Sequence, residues 1–406
     1  MSTLNAQENY LFQELRKKRM NQADVLGDFT LKSLTSGTSD IYPDPAHFVY
    51  ELLQNADDAE ATEVSFYLTN DTLIFKHNGS IHFTITEDRE DVRPWGHINA
   101  ITAYFPSKAA ESNRIGKFGL GFKSVYNYTD TPTIYDDKFK FYIERRMVPS
   151  LIEKDHPMRH EGETLFVFPL KNKQESASEI SKKISSLEYA TLFLNHLKKI
   201  TFEDRVNNET KLFDKTVHYT GTKGDIQYEE LLINDAGVLK MLLLFKRKVS
   251  IPDIGDQEIS VGYFFNNDGT LDVQTERGIY CFFPTKESFD LCFISHAPFL
   301  LTNNRQNLND NKINRDFIIE LSKLAADALP LLRDYGIEKG QNLLDDNLFY
   351  IAPYHYYDTH RGYVVYDENL ITAKYFLNYI KNLLYSEPLL LSTTGKYVLR
   401  KNAYVF

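Results

Sequence analysis

The segment Phe48–Ala59, FVYELLQNADDA, brings an acid, an amide and a second acid into one short stretch. Read as a helix, it places Glu51, Asn55 and Asp58 at i, i+4 and i+7, on one face. A carboxylate there can orient a water. A carboxamide oxygen one turn on can ligate a hard cation such as Mg²⁺, which prefers oxygen donors and keeps several waters. Phe48, Leu52 and Ala56 form an adjoining apolar stripe, and Val49 and Leu53 widen it, so the polar groups border a buried surface. For a lone helix the plain alternative is a solvated polar face, and the downstream sequence bears on the choice.

A second group of residues lies in Arg114–Tyr126, RIGKFGLGFKSVY. A phosphate loop of the G-x-x-x-x-G-K-[ST] kind would need Lys directly after Gly121, where Phe122 stands. A dinucleotide fingerprint would need a third Gly where Ser124 stands, and a strand before the first. What remains is Gly116, Gly119 and Gly121 leading into an apolar helix start. Closely spaced glycines let backbone N–H groups turn toward an anion, and a helix N-terminus adds partial positive charge. Lys108, Arg114, Lys117 and Lys123 add cations nearby.

The elements that must position these groups follow from periodicity. Residues 5–35 have helical spacing through Leu11, Phe12, Leu15, Val25, Leu26 and Phe29, ending at a Ser/Thr/Gly-rich turn, Thr35–Ser39. Pro43 and Pro45 mark an entry loop, with Asp44 as a cap for the acid-and-amide helix. Glu63–Leu68 alternates like a strand, Asn70-Asp71 turns, and Thr72–Lys76 is a second strand running into His77-Asn78-Gly79. Beyond Leu170, Asn172–Ser178 is linker-like, Ile180–Leu197 has helical spacing, and Asn207–Asp225 is a polar excursion. Strands are expected at Val238–Phe245, Glu258–Phe265, Gly278–Phe283 and Asp290–Ile294. Helices are expected at Phe317–Leu332 and Ala373–Leu384, and a hairpin around Gly395. The expected organisation is a first domain over 1–171, a second α/β unit over 172–332 and a C-terminal α/β segment over 333–406.

Composition limits the function classes. The chain has 406 residues, 42% of them hydrophobic and 14% aromatic, enough for real cores. Its formal net charge of −10 argues against wrapping nucleic acid, which wants a basic surface. Cys281 and Cys292 sit in apolar surroundings and read as buried thiols. The N-terminus lacks a signal-peptide pattern, and no stretch of about 20 apolar residues occurs. A cytoplasmic chain with no membrane role is expected. The apolar end at Tyr404-Val405-Phe406 suggests a piece of a larger protein.

In order, ELLQNADDA, HNG, a polar loop holding Ser107-Lys108, IGKFGLGFKSVY and GETLFVFPL at Gly162–Leu170 together resemble the GHKL ATPases. That superfamily joins DNA gyrase, heat-shock protein 90, histidine kinases and MutL, and the wording is nearest its sacsin-like branch. The match covers roughly residues 40–170 and continues into Gly278–Leu308, which looks like the middle domain of that branch. The resemblance implies a two-layer α/β sandwich, the Bergerat fold: a mixed sheet with helices on one face, in an α+β chain with an α/β middle domain.

The resemblance also implies roles. Glu51 matches the general base that orients the attacking water, and Asn55 the Mg²⁺ ligand that ties the metal to the phosphates of ATP. Asp58 matches the acid one turn further on, and Asn78 and Gly79 the turn under the adenine. Ser107 and Lys108 fall in the lid. Gly116, Lys117, Phe118, Gly119, Leu120, Gly121, Phe122 and Lys123 form the segment that wraps the phosphates. Thr164 matches the threonine on the strand behind the adenine. Arg305, in Asn304-Arg305-Gln306-Asn307-Leu308, matches a middle-domain Arg that reaches the γ-phosphate on closure; a plain loop Arg paired with Asp310 or Asp316 is the alternative. His77 departs from the pattern, since it stands where the family has an Asp that accepts from the adenine amino group. A neutral imidazole can accept one hydrogen bond, but only in one of its tautomers.

The expected activity is Mg²⁺-dependent ATP binding and slow hydrolysis driving a conformational switch, in a chaperone-like or defence setting. The second expectation is a nucleotide-sensing scaffold with little or no hydrolysis. A client or effector protein, and homodimerisation through a C-terminal region absent from this chain, are compatible partners. A histidine kinase is disfavoured because no helical hairpin with a phosphoacceptor His precedes the motifs. A topoisomerase or mismatch-repair enzyme is disfavoured by the acidic charge.

Overall fold

The computed structural model describes residues 4–41, 48–89, 91–92, 94–103, 121–274, 277–288, 291–302, 306–345, 348, 351, 356–358, 363–365 and 371–403. The chain divides into two compact units: Met1–Asp214 with Asp235–Gly237, and Lys215–Asn234 with Val238–Phe406. Residues 172–214 thus belong with the first. Each unit is α+β with a mixed sheet and helices.

In the first unit, helix α1 (Ala6–Ile41) turns sharply at Gly27, whose φ of 72° suits a residue without a Cβ. The break falls there and not at the expected turn Thr35–Ser39, through which the helix continues to Ile41. Strands β1 (Glu63–Leu68), β2 (Thr72–His77), β3 (Thr133–Tyr135), β4 (Lys140–Glu144), β5 (Val148–Leu151), β6 (Thr164–Pro169), β7 (Lys199–Asp204) and the start of β8 (Glu209–Lys223) lie in the order β8-β7-β1-β2-β6-β3-β4-β5. β1 and β2 form the expected hairpin. β7 lies parallel to β1 and antiparallel to β8.

Register defines the face that carries the site. Phe75 pairs with Phe66 and Phe166, Leu73 with Leu68 and Phe168, and His77 with Val64 and Thr164. Residues two apart share a face, so His77 and Thr164 continue the row of Phe75 and Phe166. Helix α2 (Phe48–Asp58) lies on that face, with the Phe48 ring edge-on to Phe168 at 6.4 Å. It buries Phe48, Val49, Leu52, Leu53 and Ala56, as its periodicity implies. Each large apolar side chain contributes about 1.5–3 kcal/mol on burial. The 3₁₀ turn Phe122–Asn127 covers the same face, its Phe122 ring 6.2 Å from Phe166. Helix α3 (His97–Thr102) follows the loop after β2.

Two expectations fail between Asn172 and Asp225. The expected linker Asn172–Ser178 is largely helix α4 (Lys173–Ser185), which buries Ala177, Ile180 and Ile184 on one stripe. That helix stops at Ser185 instead of running to Leu197; Leu187, Leu192, Leu194 and Leu197 are buried by irregular chain. The expected polar excursion is mostly strand β8. Its Thr, Val and Tyr residues favour a pleated backbone, while most of its residues are exposed, so its composition mimics a loop.

Asp57 fixes α2 in place. Its buried carboxylate accepts from the backbone N–H groups of Asn195 (3.0 Å), His196 (2.7 Å) and Leu197 (2.8 Å), tying the helix to the segment that enters β7.

The second unit contains the rest of β8, β9 (Ile226–Asp235), β10 (Val238–Ile251), β11 (Gly255–Phe265), β12 (Gly278–Cys281), β13 (Phe283–Ser288) and β14 (Ile294–His296). The order is β13-β12-β14-β11-β10-β9-β8, with β12 parallel to β14. The strand expected at Asp290–Ile294 begins only at Ile294, and the one expected to run through Phe283 is divided at Phe282, whose φ is 63°. Helix α5 (Lys312–Glu338) places Leu321, Ala325 and Leu329 in one core with Phe245, Val261 and Tyr263. Helix α6 (Ile371–Ser386) precedes β17 (Leu390–Leu391) and β18 (Tyr397–Val398), the expected hairpin around Gly395, after the short pair β15 (Tyr356–Asp358) and β16 (Tyr363–Val365). Cys292 is buried and Cys281 half-buried, and neither is in a disulfide. Among the described residues no helix is long and apolar enough to cross a membrane.

Hydrogen bonds to a charged group contribute about 1.5–3 kcal/mol. Asp57→Ala is therefore expected to lower stability by about 3 kcal/mol in urea unfolding. A loss below about 1 kcal/mol would show that the three N–H groups find other partners.

Candidate functional site

Helix α2 and the residue closing the glycine segment meet directly. Glu51 is only 4% exposed. A Cβ built on Gly121 would fall 1.7 Å from Glu51 Oε2 and 2.3 Å from its Cδ. The Glu51 carboxylate thus occupies the space that any side chain at 121 would need. One turn on, Asn55 is half-buried, as is Asp58. The structure therefore brings Glu51 and Gly121 together, with Asn55 one helical turn from the acid. Among the described residues no three His, Cys, Asp or Glu side chains converge as a metal cage. Mg²⁺ needs less, one or two protein oxygens beside its own waters, and a half-exposed Asn55 carboxamide suits that demand.

Lys123 turns inward. It is buried, and its Nζ donates to the Ile101 carbonyl at 3.2 Å. Burial, with Arg19 nearby, pushes its ammonium down to about 7. Arg19, on α1, is buried as well and donates to both oxygens of Asp88 (2.9 and 3.2 Å), to the Asn99 carbonyl (3.3 Å) and to Thr102 Oγ1 (3.3 Å). Two cations thus bind the last turn of α3, where outward-pointing carbonyls favour positive charge.

The end of the sheet supplies a polar floor. His77 is 6% exposed, lies between the tilted rings of Phe75 (6.0 Å) and Phe166 (6.2 Å), and accepts from the Gly79 N–H through Nδ1 at 3.1 Å. Burial pushes its imidazole down to about 4, against the opposing pull of Asp136. The ring is neutral at physiological pH, and an acceptor Nδ1 leaves the hydrogen on Nε2. Gly79 approaches the end of α2 so closely that a Cβ there would lie 2.5 Å from the Ala59 carbonyl. Asn78 spends its carboxamide locally, accepting from Thr62 N–H (3.0 Å) and Glu63 N–H (2.9 Å). Thr164 donates its hydroxyl to Asp136 at 2.7 Å.

Asp136 and Asp57 are residues that sequence reasoning passed over, and Arg19 ends a basic run, Arg16–Arg19, that reads in the sequence as a solvated helix face, yet Arg19 is buried. The fully buried Asp136 also receives the Phe83 N–H (2.8 Å) and contacts His82 Nδ1 (2.8 Å). Its only sequence signal is an Asp doublet ending a strand, and that of Asp57 is its place beside Asp58.

Ser107, Lys108, Gly116, Lys117, Phe118, Gly119, Leu120 and Arg305 lie outside the described residues. Among the described residues near Arg305 in sequence, Leu301 and Leu308 form a bridge, and the carboxamide of buried Asn314 bonds to Leu300 N (2.8 Å), Leu300 O (2.7 Å) and Asn309 O (2.8 Å). Asp310, named above as an alternative partner for Arg305, pairs with Arg315 at 2.7 Å.

No family model matches the chain. It is similar to Protein NO VEIN of Arabidopsis thaliana, at 23% identity over 336 residues, 73% of this chain but 12% of that protein. It is also similar to sacsin of Homo sapiens, at 34% identity over 107 residues, 24% of this chain and 2% of sacsin. Both likenesses are distant and partial, and the chain spans a small part of either relative. The second is to the protein whose branch the motif wording resembles.

Gly121→Ala is expected to cost about 1–3 kcal/mol through overpacking. Adding Glu51→Ala should recover part of that loss, because truncation clears the collision; additive losses in the double mutant would rule out the contact. His77 provides a pH test. Its pKa is depressed in the native state, so the unfolded chain binds the extra proton. The stabilisation is complete above about 6.5 and is lost as pH falls toward 4, by roughly 3 kcal/mol. Urea titrations of His77→Phe should show a correspondingly weaker loss on acidification than wild type.

Proposed function

We propose that the first unit is an ATPase-type module of Bergerat architecture that binds ATP with Mg²⁺ and hydrolyses it slowly. The observation that carries this reading is the Glu51 carboxylate seated against the Gly121 backbone, which puts an acid at the end of a glycine-rich segment. The ordered motifs and the partial likeness to sacsin support it. In this reading the phosphates lie along the backbone at Gly121, and Glu51 orients a water and takes its proton. Burial protects that work, since fixed dipoles replace water around the reacting groups. Asn55 would hold Mg²⁺, which when bound neutralises phosphate charge. The base lies over the floor made by His77, Gly79 and Thr164. Phosphoryl transfer to water needs positioning and charge neutralisation more than covalent help.

A scaffold that senses nucleotide without hydrolysing it is the second reading. It is favoured by Lys123, whose ammonium is directed at the Ile101 carbonyl.

General-base catalysis contributes roughly 10²–10⁴ in rate. Glu51→Ala should leave ATP affinity by calorimetry close to wild type while lowering phosphate release by that factor. Wild-type phosphate release in the variant would remove Glu51 from the mechanism, and ATP binding with no turnover in either protein would favour the scaffold.

A further inference from the structure

Strand β8 outruns its neighbour on one side. β7 pairs with it only over Glu209–Asp214, while the strand continues to Lys223 with β9 along its other side. Among the described residues no strand adjoins Thr216–Thr222 on the β7 side. Such an edge presents a row of backbone donors and acceptors to any strand that comes alongside. Proteins discourage that pairing with a proline, a very short strand or a charge in mid-edge. The segment Thr216-Val217-His218-Tyr219-Thr220-Gly221-Thr222 has no proline, lysine, arginine or acid, and its β-branched and aromatic residues favour a pleated backbone.

The two faces of the segment differ. Val217, Tyr219 and Gly221 alternate onto one of them. Tyr228 of β9 shares that face: its ring lies 6.0 Å from the Tyr219 ring, and a Cβ on Gly221 would collide with it. Tyr228 in turn meets the Phe245 ring at 6.2 Å and packs against the core that α5 helps to form. Val217 and Tyr219 carry this apolar row outward to the open edge, where they remain 51% and 52% exposed. Thr216, His218, Thr220 and Thr222 make the opposite face polar.

An antiparallel copy of the same segment matches both faces. A two-fold axis through Tyr219, perpendicular to the sheet, sets Tyr219 opposite its own copy, Val217 opposite Gly221, Thr216 opposite Thr222 and His218 opposite Thr220. Apolar groups then meet on one face, and hydroxyl and imidazole groups on the other. Aromatic pairs and Thr–Thr pairs are among the favourable cross-strand combinations. No like charges oppose one another within the seven residues, and Lys223, just beyond them, is held by Asp334 at 2.9 Å. We propose that the chain self-associates along this edge, two copies joining Thr216–Thr222 as antiparallel strands about a two-fold axis. One pair of strands buries less than the roughly 1,200 Å² at which standard interfaces begin, so the dimer is weak and depends on concentration. It is independent of nucleotide binding.

Sedimentation of the full 406-residue chain tests this. The weight-average mass should rise toward twice the monomer value between about 2 and about 200 µM, the regime of a small interface. Tyr219→Lys and Tyr219→Glu each set like charges across the axis, and each should stay monomeric throughout that range. An equimolar mixture of the two variants should recover the dimer. Tyr219 is half-exposed, so both substitutions leave the core intact, and thermal melting checks that both variants remain folded. A wild-type chain that stays monomeric would overturn the proposal. Dimers of either single variant at wild-type strength would do the same by placing the contact elsewhere, and a mixture that stays monomeric would overturn the pairing centred on Tyr219.

Discussion

The Asp57 carboxylate is the fixed point on which the first unit depends. Three backbone N–H groups converge on it from the segment before β7, so helix α2 cannot slide along the sheet without breaking charge-assisted bonds in a buried setting. Helix α2 carries Glu51 and Asn55 on its other turns, and their positions follow from that anchor. The apolar stripe through Phe48 and Leu52 supplies most of the energy of docking, but it is tolerant of small shifts. The directional bonds at Asp57 set the register.

A second constraint acts at helix α3. Arg19 and Lys123 come from elements far apart in sequence, yet both terminate on the last turn of α3. Burying two cations together is costly unless each is compensated. Arg19 has Asp88 as a bidentate partner, while the Lys123 ammonium is pushed toward neutrality. The long helix α1 is therefore part of the site's support, and its outer turns are held by Asp24 and Asp28 against Arg145.

Much of this was legible in the sequence where a local pattern and its tertiary use agree. The stripe of α2, the β1–β2 hairpin and the hairpin at Gly395 follow from periodicity and turn chemistry. The polar partners did not announce themselves, because a buried carboxylate looks the same in sequence as an exposed one. Asp57 stands beside Asp58, and only the fold shows which of them faces Leu197. Strand β8 hid for the reverse reason: its solvated faces give it the composition of a loop. Helix α4 hid because its buried stripe is a short one, flanked by Lys and Glu. His77 was visible as a departure from the family pattern, but its tautomer depends on Gly79 and could come only from coordinates.

The collision between an added Cβ at 121 and the Glu51 carboxylate ties two distant positions into one inherited unit. A larger residue at 121 requires the buried end of Glu51 to move or to be shortened. The two positions, seventy residues apart in sequence, are therefore read together: the space that the acid fills is the space that the glycine leaves.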